Sequence, residues 1–242
     1  MTRIRTAVLL AAGLGTRMRP LTDARPKPLI EVAGRTLLDR VLDKLAAQGV
    51  ERAVINVHHF ADQMEAHLRG RTDLDIIVSD ERACLLETGG GVMNALEHLG
   101  REPFFAVNTD VTWATPGDVT YLELAERWDG ARMDALLLLA DMDRTLGFRG
   151  AGDFFLKTDG QLERRGERER APYVFAGSYV TQADRLAPYP IEPFSANRYW
   201  SDFNRRGRLM GAVMTPFWMH VGDPAAREEA ERRLRELEEA VA

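Results

Sequence analysis

The chain has 242 residues, of which 45% are hydrophobic and 29% charged, so wholesale disorder is excluded and a sizeable core can form without metals or disulfides. The 32 Lys and Arg against 37 Asp and Glu leave a formal charge of −5. That balance argues against broad binding to nucleic acid or anionic membranes but leaves room for a local basic pocket.

The first element is the continuous apolar run Ala7–Ala11, as expected of a strand buried on both faces. Extended to Ala12, the run is too short for a membrane span or a signal-peptide core, so a cytoplasmic protein is expected. Leu37, Leu38, Val41, Leu42 and Leu45 recur at helical spacing, with Gly49 where a C-cap belongs. A second strand is predicted at Arg52–Val57, a helix at Phe60–Leu68 and a third strand at Leu74–Val78. A helix follows at Gly91–Leu99, then a strand at Phe104–Val107 ending in Asn108-Thr109-Asp110. A helix at Tyr121–Trp128 and a strand at Ala135–Ala140 complete the alternation. Single Cys84 reads as a small buried or half-buried apolar residue in a reducing compartment.

After about residue 141 the pattern changes. Short strands are predicted at Asp153–Lys157, Gln161–Glu163 and Tyr173–Val180, with a solvated charged turn over Glu163–Arg170. Arg208–Thr215 returns to strand, and Ala225–Val241 reads as a charged helix packing a Leu234/Leu237/Val241 stripe on the domain. Tyr199, Trp200, Phe203, Phe217 and Trp218 read as core packing rather than a sugar pocket. The expected fold is α/β: one domain with a doubly wound, Rossmann-like, mixed and mostly parallel sheet carrying a small β-rich insertion.

Leu9-Leu10-Ala11-Ala12-Gly13-Leu14-Gly15-Thr16-Arg17-Met18-Arg19 is a glycine-rich turn after the first strand, where an α/β sheet places phosphates. The dinucleotide fingerprint needs a third glycine where Met18 stands, and the Gly-Lys-Ser/Thr of a P-loop is absent. What remains is Gly-x-Gly followed by Arg17 and Arg19, with Lys27 held between Pro26 and Pro28. A planar guanidinium fork and a point charge suit a polyphosphate. Asp110, at the carboxyl end of an apolar strand, is either an oxygen ligand for a hard cation or a turn cap. Asp118 reads as a helix cap, as does Asp223 before Pro224.

Leu10–Arg17 together with Pro26-Lys27-Pro28-Leu29 resembles the signature of the sugar-1-phosphate nucleotidylyltransferases. The likeness continues through Val32–Leu37, Glu87–Gly91, Val107–Asp110 and Val221-Gly222. The resemblance implies attack of a sugar 1-phosphate oxygen on the α-phosphorus of a nucleoside triphosphate, with pyrophosphate leaving and no covalent intermediate. It assigns Gly15, Thr16 and Arg17 to the triphosphate, Lys27 to the α-phosphate, Leu10, Ala12, Thr88 and Gly89 to the base, and Gly13 to the nucleotide at large. Asn108, Gly150, Asp153 and Gly177 fall on the sugar side, and Asp110 binds Mg2+. Residues 1–140 would then form the nucleotide-binding part, 141–224 the sugar-binding part and 225–242 a C-terminal helix. Where many relatives carry a second metal-binding aspartate, this chain has His220, whose nitrogen suits Mn2+ better than Mg2+. The expected partners are the two substrates alone, in a monomer or weak homodimer. The Glu87–Gly91 segment and the short length are most similar to the uridylyltransferase branch acting on N-acetylmuramate 1-phosphate in peptidoglycan recycling. Guanylyltransferases making GDP-sugars share much of the framework, and an inactive nucleotide-sugar sensor is the alternative outside enzymes.

Overall fold

The computed structural model describes residues 3–115 and 117–239, with side chains through residue 237. The chain opens with β1 (Thr6–Leu10), short 3-10 turns at Thr16–Met18 and Lys27–Leu29, and the ribbon β2 (Glu31–Val32) and β3 (Arg35–Thr36). Next come α1 (Leu37–Ala47), β4 (Arg52–Val57), α2 (Ala61–Leu68), β5 (Asp75–Asp80), α3 (Glu87–Leu99), β6 (Phe104–Asn108), β7 (Val111–Trp113), α4 (Thr120–Glu126) and β8 (Ala135–Asp141). The last stretch holds β9 (Thr145–Leu146), β10 (Phe154–Leu156), β11 (Leu162–Arg164), β12 (Tyr173–Thr181), α5 (Ala183–Leu186), α6 (Asn197–Arg205), β13 (Leu209–Val213), β14 (Trp218–His220) and α7 (Pro224–Glu239).

The main sheet runs β5-β4-β1-β6-β12-β8-β13, with β10 and β11 attached to one end of β12. In that run only β12 is antiparallel to its neighbours. Side chains alternate across it as the pleat requires. Ala7, Leu9, Phe105 and Val107 enter one core with Val41, Leu42, Met64 and Leu124 from α1, α2 and α4. Val8, Phe104 and Ala106 enter the other with Val92, Leu186, Tyr199 and Phe203 from α3, α5 and α6. Helices therefore cover both faces, and the strands are apolar throughout because neither face meets water. A third cluster joins Met18, Ile30 and Val32 to Met219, Val221 and Leu234. It pins the glycine-rich segment and α7 to the same side of the molecule.

The expected sheet and its order of elements hold, and four details differ. The helix expected at Gly91 begins at Glu87, although Gly-Gly-Gly weakens a helix by about 1 kcal/mol per residue. The glycines permit close packing: a Cβ at Gly89 or Gly90 would overlap the backbone of Phe194 or Glu192, and one at Gly91 would lie 2.7 Å from Asn56 Nδ2. Cys84 is exposed rather than buried; its turn is anchored instead by Glu81 and Leu86, both buried. The strand expected over Arg208–Thr215 ends at Val213, and α6, which carries the buried Tyr199, Trp200 and Phe203, was not anticipated. Leu234 is buried under α7 and Leu237 half-buried; Val241 lies outside the described residues. As expected, Asp118 Oδ1 accepts from Thr120 N, and Asp223 Oδ1 accepts from Ala226 N just after Pro224 starts α7.

Candidate active site

At the carboxyl ends of β1 and β6 lies a cleft of about 420 Å3, lined among others by Leu10, Ala12, Gly13, Lys27, Thr88, Asn108 and Asp110. The topology puts it where the strand order reverses, β1 leading on to β4 at one flank and β6 to β8 at the other, the usual ligand position in such sheets. Three residues far apart in sequence converge on one oxygen there. Lys27 Nζ donates to Asp110 Oδ2 at 2.7 Å, and His220 Nε2 lies 3.4 Å from the same oxygen. Asp110 Oδ1 has no hydrogen-bond partner among the described residues.

Local structure explains each placement. Pro26 and Pro28 flank Lys27 in a 3-10 turn, and a Cβ on Gly15 would stand 3.0 Å from Lys27 Cβ, so loop and lysine fit only because residue 15 is glycine, with φ 63°. β14 pairs with β7 so that His220 sits opposite Val111, and Val221 N donates to Asp110 O. The imidazole also stacks on Trp218, 9° from parallel. Burial acts to raise the Asp110 carboxyl, but the ammonium of Lys27 and then His220 hold it well below the usual carboxylate range.

Behind the glycine-rich segment is a buried polar relay. Asn56 Oδ1 accepts from Ala11 N at 2.5 Å and Ala12 N at 3.0 Å, and Asn56 Nδ2 donates to Glu81 Oε1 at 2.7 Å. Glu81 Oε2 accepts from Leu86 N at 3.0 Å. Both side chains are 2% exposed, and burial pushes the Glu81 carboxyl above its ordinary value. One relay thus fixes both walls of the cleft, the turn after β1 and the start of α3. Asn56 and Glu81 were missed in the sequence, although they stand at and just after the ends of β4 and β5, as Asn108 and Asp110 do for β6. Glu87, also missed, lines the cleft with a left-handed φ of 59°.

Of the other expected site residues, only Thr88 lines this cleft. Thr16 and Arg17 are exposed on the turn outside it, and Arg17 makes no ion pair with any described residue. Gly89 is buried, and its N–H is spent on the Phe194 carbonyl rather than offered to a base. Thr88 lines the cleft while its hydroxyl accepts from Ala196 N, tying α3 to α6. Gly177, at φ 87°, packs against Val111 and Asn108. Gly150 is exposed beside Phe148 and lines neither this cleft nor its neighbour. Asp153 lines a second cavity of about 340 Å3 with Arg164, Arg165, Phe175 and Trp200.

The MobA-like NTP transferase domain family matches residues 7–185. The N-acetylmuramate alpha-1-phosphate uridylyltransferase of Caulobacter vibrioides is 47% identical over 95% of this chain and 97% of its own length. That of Neisseria meningitidis serogroup B is 46% identical over 93% and 96%. Among solved structures, HddC from Yersinia pseudotuberculosis complexed with GMP-PN aligns over 96% of this chain and all of its own, with a TM-score of 0.77 at 22% identity; that likeness bears on the fold. The chain belongs to the MobA-like NTP transferase family and is a nucleotidyltransferase.

Proposed function

We propose that this nucleotidyltransferase joins UTP and N-acetylmuramate 1-phosphate, giving UDP-N-acetylmuramate and pyrophosphate. The observation that carries the reading is near-half identity, end to end, with two uridylyltransferases of that specificity, in a chain whose cleft gathers Lys27, Asp110 and His220. An oxygen of the sugar 1-phosphate attacks the α-phosphorus, a P–O bond forms, and the bond to the β-phosphate oxygen breaks. Such a displacement needs positioning and charge neutralisation more than a protein nucleophile.

Lys27 then leaves Asp110 for the α-phosphate. Arg17 and the backbone N–H groups of Gly15 and Thr16 close on the departing pyrophosphate, and Leu10 and Ala12 border the base, the N–H of Ala12 fixed by Asn56. Among the described residues no three His, Cys, Asp or Glu side chains form a metal site. One carboxylate with an unpartnered oxygen and one imidazole fit a divalent cation that takes few ligands from the protein. Asp110 and His220 would hold that Mg2+ or Mn2+, which when bound neutralises triphosphate charge. Asn108 and Gly177 border the sugar; apart from Asn108, residues 1–140 serve the nucleotide and 141–224 the acceptor, and α7 supports the loop. Among the described residues no helix is long and apolar enough to cross a membrane, and the reaction is assigned to the cytoplasm and to peptidoglycan recycling.

Pyrophosphate release across the four NTPs, each with a panel of sugar 1-phosphates, tests this. UTP with N-acetylmuramate 1-phosphate should give the highest kcat/KM. GTP with mannose 1-phosphate in that position would make the chain a guanylyltransferase, and no turnover with any pair would make it a sensor.

A further inference from the structure

The second cavity lies one step from the cleft. Ser195 lines the cleft and Asn197 the cavity, and the Ser195 hydroxyl accepts from Asn197 N and Nδ2. On the sheet side, Gly177 abuts Asn108 of the cleft and Phe175 lines the cavity. Two residues of strand span roughly 7 Å, about the reach of one hexose ring.

The cavity is rich in donors without acceptors. Both terminal nitrogens of Arg164 share a single acceptor, Asn197 Oδ1, at 3.1 Å. Its Nε and the Trp200 Nε1 are also unpartnered but are sealed from the cavity, so what Arg164 offers a ligand is the second N–H of each terminal nitrogen. Arg165 uses Nε on Gly152 O and Nη1 on Arg168 O, which leaves Nη2 without a partner among the described residues. Neither arginine has a carboxylate within ion-pair distance among the described residues. The adjacent Glu163 is taken by Arg168. Asp153, the one acid lining the cavity, accepts from Phe175 N. Two guanidiniums against one carboxylate leave the cavity net positive in a chain of net charge −5. Arg164 keeps its place by packing its guanidinium over Phe154, 5.4 Å from the ring centre. Unspent donors on a planar fork match a carboxylate.

We infer that this cavity takes a carboxylate carried by the acceptor sugar, with Arg164 and Arg165 as specificity-determining residues. The inference rests on the proposed function, which supplies an acceptor with two anionic groups. The reacting phosphate must reach Lys27 in the cleft, so the group one ring away in the cavity is the carboxylate. N-acetylmuramate is N-acetylglucosamine bearing a lactyl ether, so the two 1-phosphates differ by that acid alone.

The test is the ratio of kcat/KM for N-acetylmuramate 1-phosphate over N-acetylglucosamine 1-phosphate, measured with UTP in the wild type, Arg164→Gln and Arg165→Ala. Arg164→Gln keeps much of the stem over Phe154, and thermal melting of each variant reports its folding. Loss of a charged hydrogen-bond donor should shrink the ratio roughly 10- to 100-fold, through KM more than kcat. A wild-type preference for the carboxylated acceptor that survives both substitutions overturns the inference and leaves the proposed function standing. A parallel fall for both acceptors also overturns it, since the arginines would then serve the shared phosphate or the fold. Wild-type turnover with neither acceptor overturns the proposed function itself.

Discussion

The two ends of the site are built on opposite principles. At the nucleotide end, the buried relay is mutually satisfied: Asn56 holds Ala11 and Ala12, and Glu81 holds Asn56 and Leu86. At the acceptor end, Arg164 and Arg165 carry N–H groups with no acceptor. A closed network costs nothing further to organise when a ligand arrives, whereas open donors gain most from a ligand that supplies what is missing. The contrast fits a division between positioning for chemistry and selection of the substrate.

The largest expected effect breaks the nucleotide end at its charges. Lys27→Ala and Asp110→Asn should each lower kcat by ~10²–10³ while the circular dichroism spectrum shows the fold retained, because both face the cleft rather than a core. Lys27→Arg should also be poor, since a fork does not replace a point charge. Steady-state kinetics beside circular dichroism would check all three; a variant retaining near-normal kcat would remove that residue from the chemistry.

Next comes the relay. Asn56→Ala leaves two backbone N–H groups and Glu81 Oε1 unpaired, and should cost about 3 kcal/mol in urea unfolding as well as raising KM for the nucleotide. Arg164→Gln, in contrast, should leave stability nearly intact. If both variants lost equal stability, the contrast between a closed and an open end would fail.

A smaller effect concerns the cation. His220→Asp should keep activity and move the preference from Mn2+ toward Mg2+, which prefers oxygen. Unaltered metal dependence would leave Asp110 as the protein's ligand and give His220 a packing role beside Trp218.

The smallest effect is on pH and stability. Because burial raises the Glu81 carboxyl, the folded chain holds that proton more tightly than the unfolded one. Stability from this group is therefore present below the unfolded value, about pH 4.3, and is lost as pH rises through the higher folded value. Glu81→Gln removes the titration, so the wild type should lose stability relative to the variant over that interval. A difference constant with pH would contradict the shift.

Legibility in the sequence followed the same division. The nucleotide end was readable because a glycine turn, a proline-clamped lysine and a strand-end aspartate sit in short contiguous motifs. The doubly wound sheet was readable because apolar strands alternate with helical periods. The relay was not: Asn56 sits near the end of β4 and Glu81 just after β5, and only the pairing of β4 with β5 and β1 brings them to the turn after β1. The start of α3 was lost because three glycines argue against a helix until Phe194 and Glu192 are seen pressed on them. At the acceptor end, the charged run Glu163–Arg170 reads as a solvated turn. Only the fold shows that Arg164 turns back over Phe154 toward α6.

The central claim is tested most directly by one competition assay. The protein would be given all four NTPs at equal concentration together with the 1-phosphates of N-acetylmuramate, N-acetylglucosamine and mannose, and the sugar nucleotides formed would be identified by mass. The account predicts UDP-N-acetylmuramate as the dominant product; a dominant GDP-mannose would contradict it.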